Sequence, residues 1–151
     1  MRKALLLMLL SLVSAQFASA QQRPAHRGAT GAQVRAASLT GTYSNSSSEF
    51  KVKALGGNKL RVRFDGTFAY KVRGELTANM GTGEGVVTLE GNTAEFVPQD
   101  TQGCSINLKF VGRKLVVKQK GTDADCGFGH RVYASGTYTK RSNRPPNFES
   151  Q

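Results

Sequence analysis

The residue types that carry chemistry are few in this chain, and most fall short of a working arrangement. Asp123-Ala124-Asp125-Cys126-Gly127 alternates carboxylates in the manner of a calcium loop. Such a loop needs glycine at its sixth place and glutamate at its twelfth, and those places hold Phe128 and Ala134. The segment therefore reads as a solvated acidic turn. His130 follows Gly127-Phe128-Gly129 and has no second histidine near it in sequence, so it reads as a loop residue rather than a proton carrier or metal ligand. Phe128, between two glycines, reads as a lid on one end of a core. No G-x-S-x-G elbow, no H-E-x-x-H and no free cysteine with a partner histidine is present, which removes the common nucleophile and zinc-hydrolase designs. Glu84 and Glu90 flank one apolar stretch, with nothing to aim them into a shared cleft. Two cysteines do not make a structural zinc site by themselves. The expectation is a protein that is not an enzyme and holds no metal and no cofactor.

Seven cations form the exception. Lys51, Lys53, Lys59, Arg61, Arg63, Lys71 and Arg73 stand against Asp65 alone, a net of +6 in this stretch, whereas residues 74–139 carry six cations and seven acids. The charge is concentrated, and a basic face of this kind suits an anionic partner. These seven are the candidate anionic-ligand residues.

The elements that must position them begin after an export signal. Arg2 and Lys3 precede an apolar run from Ala4 to Val13, and Ala18-Ser19-Ala20 offers small residues for cleavage. The run is about half of the roughly 20 residues that a bilayer span requires, so residues 1–20 read as a cleavable signal peptide. No second apolar run follows, and no transmembrane span is expected after cleavage. Loss of Arg2 and Lys3 from the 21 Lys and Arg, against 10 Asp and Glu, leaves a net of +9. Export places the protein in the periplasm or outside the cell, where Cys104 and Cys126 should pair. Residues 21–37 carry three arginines, no acid and no aromatic, too little apolar material to offset ordering entropy. They read as a flexible basic tail, and 141–151 as a second tail.

Between the tails, over 38–140, apolar residues recur with a period of two. Phe50, Val52 and Ala54 alternate with Lys51 and Lys53; Leu60, Val62 and Phe64 alternate with Lys59, Arg61 and Arg63. Phe68, Tyr70 and Val72, then Ile106, Leu108 and Phe110, repeat the pattern. Each is a strand with one face in a core and one in water. Turns are expected at Gly56-Gly57-Asn58, Asp65-Gly66, Glu90-Gly91-Asn92 and Gly112-Arg113. Strands are expected near 39–44, 49–55, 59–65, 67–74, 84–90, 93–98, 104–111, 114–120 and 131–139. The fold class is all-β: an antiparallel up-and-down meander of about eight strands closed into a barrel, since closure hides both the apolar face and the edges. A β-sandwich is the alternative. Tyr43, Phe50, Phe64, Phe68, Tyr70, Phe96, Phe110 and Tyr138 are the expected inward aromatics.

Leu39-Thr40-Gly41-Thr42-Tyr43 resembles the first strand of calycin-type barrels, the lipocalin and avidin group, in which a glycine, one residue and an aromatic plug the closed end. Tyr43 stands where those proteins usually carry tryptophan. The chain has no tryptophan at all, which argues against avidin-like biotin binding. Cys104-Ser105-Ile106-Asn107-Leu108, Cys126-Gly127-Phe128-Gly129 and Gly136-Thr137-Tyr138-Thr139-Lys140 resemble the end of small exported bacterial β-domains, some of which accompany lysozyme inhibitors. The resemblance implies a calycin-like barrel. The leading function is then non-catalytic binding of an anionic polymer or membrane surface, such as a lipid head group, an acidic glycan or nucleic acid. A protein-binding module of lysozyme-inhibitor type comes second, and a carrier of a small apolar ligand third. A monomer is expected.

Overall fold

The structure is a computed structural model that describes residues 35–149. The signal peptide (1–20) and most of the basic tail of 21–37 lie outside the described residues. Within them, a single helical turn, α1 (Ala36–Leu39), leads into eight strands: β1 (Gly41–Ser44), β2 (Ser48–Gly56), β3 (Lys59–Val72), β4 (Glu75–Thr88), β5 (Thr93–Phe96), β6 (Ser105–Val111), β7 (Lys114–Lys120) and β8 (Gly136–Ser142). All pairs are antiparallel, in the order β4-β3-β2-β1-β8-β7-β6-β5. The first and last strands thus meet mid-sheet, and β4 comes back against β5 to leave a nearly closed barrel.

Alternation builds the core, although two of the expected inward aromatics stay out of it: Tyr70 is exposed and Phe68 only partly buried, because both lie where β3 runs past the barrel. Phe50, Val52, Leu60, Val62, Phe64, Ile106 and Leu108 are completely buried. Aromatic rings fill the axis: Phe50 lies 5.1 Å from Phe64 and 4.9 Å from Tyr138, and Phe64 lies 4.9 Å from Phe128. At the α1 end, Tyr43 plugs the barrel, its hydroxyl donating to the Leu39 carbonyl at 2.9 Å. The Lys140 ammonium stands 5.5 Å above the Tyr43 ring and donates to the Ser38 carbonyl at 2.7 Å.

Three departures from the sequence reading matter for the site. The expected Asp65-Gly66 turn is absent, and β3 runs unbroken through it. Gly66 instead pairs with Gly81 on β4, and a Cβ on Gly66 would collide with the Phe64 ring. Small residues on both strands admit Phe128 and Val132, which close this end of the barrel. Residues 75–83, assigned to no strand, form the first half of β4. The expected strand at 131–139 begins only at Gly136. Its first residues belong to the lid, with the Ala134 N–H donating to the Gln119 side chain.

The Cys104–Cys126 disulfide is present and fastens the lid loop to the start of β6. Within that loop the Asp123 carboxylate accepts from the Arg131 and Ala124 N–H groups, and Asp125 accepts from the Thr122 N–H and hydroxyl. These hydrogen bonds hold both carboxyls below the usual aspartate range. The acidic turn is a loop clamp.

Candidate anion-binding face

Register decides where the seven cations stand. Lys51 pairs across β2–β3 with Arg63, and Lys53 with Arg61. Arg63 in turn faces Glu84 on β4. Alternation therefore places these side chains together on the outer face of three neighbouring strands. Lys59 opens β3 beside the Gly57-Asn58 turn, Lys71 lies near its far end, and Arg73 sits in the β3–β4 turn with a φ of +51°.

The structure divides the seven into two kinds. Arg61 pairs with Glu84. Arg63 Nε donates to both Asp65 oxygens at 3.0 and 3.1 Å, and Lys51 Nζ lies 3.9 Å from Asp65 and 4.0 Å from Glu49. All three are only half-exposed. Lys53, Lys59, Lys71 and Arg73 are exposed and make no salt bridge among the described residues.

A contact that sequence reasoning missed separates the exposed groups. Phe148 is buried on the outer face, its ring 4.5 Å from the Arg61 guanidinium carbon, and its carbonyl accepts from Arg63 Nη1 at 3.1 Å. The segment Pro146–Glu149 lines a cavity together with Lys53 and Arg61. Only a lone aromatic in a polar stretch signalled this in the sequence. The exposed cations consequently sit at two ends: Lys53 and Lys59 near the β2–β3 turn, Lys71 and Arg73 at the β3–β4 turn. From Lys59 to Lys71 is roughly 40 Å along one extended strand. A second set of exposed lysines, Lys109, Lys114, Lys118 and Lys120, lies on β6 and β7.

Other chemistry-bearing groups converge little. His130 is exposed, 3.6 Å from the Asp123 carboxylate that already clamps the lid. Between β4 and the lid loop lies an open cleft of about 470 Å³ whose polar lining includes Arg63, Glu84 and Asp100. Arg63 there is committed to Asp65 and Phe148. Glu84 lies within β4 and is paired with Arg61, whereas Glu90 lies just past the strand's end and is exposed. No family model, curated protein or solved structure matches the chain.

Proposed function

We propose that this is a non-catalytic binding protein of the cell envelope or exterior that holds an anionic surface through the outer face of β2 and β3. The observation that carries the reading is the set Lys53, Lys59, Lys71 and Arg73, exposed and without acidic partners among the described residues. Unpaired surface ammonium and guanidinium groups attract phosphate, sulfate or carboxylate without desolvating a pre-existing ion pair. The ion-paired Lys51, Arg61 and Arg63 would supply a stiff scaffold between them. Export fits the Cys104–Cys126 bond, since such bonds persist in oxidising compartments. The finer calycin-type assignment is supported by the eight-strand meander and by Tyr43 plugging the end from which β1 departs. The filled axis favours surface binding over carriage of an internal ligand.

The test compares Lys53→Glu/Lys59→Glu and Lys71→Glu/Arg73→Glu with Lys114→Glu/Lys118→Glu, measuring heparin affinity at low and moderate salt. Each β2–β3 variant should lose about tenfold at low salt, with a shallower salt slope, as fewer counterions are displaced. An equal loss in the β7 variant would reduce the effect to net charge and overturn the face.

A further inference from the structure

Beyond Gly66 the β3–β4 pair leaves the barrel. The β2–β3 register ends at the Ser48–Gly66 pair, with the Thr67 N–H still donating to the Ser47 carbonyl, so residues 68–79 form a two-stranded ribbon that ends in the Arg73-Gly74 turn. Five residues of β3, Phe68 to Val72, make it roughly 17 Å long. Its base is held firmly. The Gly129 N–H donates to the Met80 carbonyl, Asn79 Nδ2 to the His130 carbonyl, and the Arg131 guanidinium lies 4.3 Å from the Phe68 ring.

The free part of this ribbon carries apolar side chains on both faces. Register places Phe68, Tyr70 and Val72 on one face, opposite Asn79, Thr77 and Glu75, and Ala69, Ala78 and Leu76 on the other with Lys71, Met80 following at the base. Leu76 is 75% exposed, Met80 68% and Val72 50%. A partner protein docking flat against the ribbon would cover one face and leave the other in water. Apolar side chains on both faces call for a low-dielectric surrounding on both sides. Lys71 faces Leu76 directly, and Arg73 occupies the turn, with Glu75 the one acid near them. That mixture of apolar groups and cations matches the boundary between anionic head groups and acyl chains, where long cationic side chains reach outward to phosphate.

We infer that the β3–β4 ribbon inserts its tip into the interface of an anionic lipid bilayer, with Val72 and Leu76 at the upper acyl chains and the long side chains of Lys71 and Arg73 reaching back to the head groups. This rests on the anionic-surface reading above and names its partner. Insertion is shallow for a physical reason. Both edges of the ribbon carry unpaired backbone N–H and C=O groups, which hydrocarbon does not tolerate, and the ribbon is shorter than the roughly 30 Å of a bilayer core. Among the described residues no helix is long and apolar enough to cross a membrane.

The chain contains no tryptophan, so Leu76→Trp creates a reporter without background. Its emission is measured with phosphatidylcholine vesicles, with vesicles that also contain phosphatidylglycerol, and with heparin. Sedimentation compares the parent protein with Leu76→Asn/Val72→Asn, uncharged replacements at two exposed positions whose change should leave the net charge and the melting temperature unaltered. The expected result is a blue shift on anionic vesicles alone, with a loss of vesicle binding of roughly tenfold or more in the asparagine variant and unchanged heparin binding. Vesicle and heparin binding that persist in the asparagine variant, with no blue shift, would overturn insertion while leaving the anionic-surface reading in place. Binding of the parent to neither vesicles nor heparin would overturn both. Dimerisation that the asparagine variant abolishes, without vesicle binding, would assign the ribbon to a second copy and overturn the lipid assignment.

Discussion

Alkali should unfold this barrel through two phenols. Tyr43 and Tyr138 are 1% and 0% exposed, and burial pushes each hydroxyl up to about 12 from an ordinary value of 10.0. Each donates to a nearby carbonyl, Leu39 and Ala134 respectively, which favours the neutral form. Between these values the unfolded chain releases its phenolic protons while the folded chain keeps them, so rising pH drains stability. A two-unit difference is worth about 2.7 kcal/mol per tyrosine once both limits are passed, and about half of that near pH 11. Together the two approach the lower end of the 5–15 kcal/mol that holds an ordinary domain together. Lys140 works in the opposite direction, because burial and Arg113 hold its ammonium below the ordinary lysine value, and its penalty fades as pH rises. The informative quantity is therefore a difference between variants. Tyr43→Phe should lose about 1 kcal/mol at neutral pH through its missing hydrogen bond, yet decline less steeply above pH 10 and overtake the parent near pH 11. Urea unfolding across this range, with phenolate absorbance followed in parallel, measures both. Parallel pH profiles for parent and variant would refute the assignment.

Replacing Cys104 and Cys126 by serine releases a loop with a sequence separation of 22 and should remove about 3 kcal/mol, seen as a melting point lowered by roughly 10–20 °C while the far-ultraviolet strand signal survives. Phe148→Ala should destabilise the fold by about 1 kcal/mol through the lost contact with Arg61. It should also raise heparin affinity about threefold at low salt by uncovering Arg61 and Arg63; calorimetry and heparin binding report the two effects separately.

The barrel was legible wherever a strand had one face in the core and one in water. Leu60, Val62 and Phe64 announce β3 because burial imposes the alternation that the residues display. Gly66 misled because glycine serves both turns and close packing, and only the Phe64 ring beside it reveals which. Val132 and Ala134 imitated a strand by alternating in burial, although no neighbouring strand pairs with them. Residues 75–80 stayed silent because the outer ribbon has no core to impose a pattern, and Gly81 and Gly83 because they meet Phe128 and Phe96 with no side chain of their own. Lys51, Lys53, Lys59, Arg61 and Arg63 alternate with core residues along β2 and β3, whereas Arg73 falls in a turn, and the cations' partners were out of reach of local reading. Arg61 meets Glu84 across 23 positions, and Arg63 meets Phe148 across 85.

The meeting of β1 and β8 in the middle of the sheet also sets an order of events in folding. Ser44 and Arg141, joined across this pair, lie 97 positions apart, whereas every other ladder joins neighbours in sequence. The two halves, β1–β4 and β5–β8, can each assemble from local hairpins within microseconds. Their union waits for a loop closure spanning the whole domain, the kind of contact that slows folding most. Until it forms, the edge of β1 stands open to pairing with other chains. Joining the segment after β8 to α1 and opening the chain between β4 and β5, at Glu90 to Asn92, would convert that last long-range union into a local one and let the barrel close early.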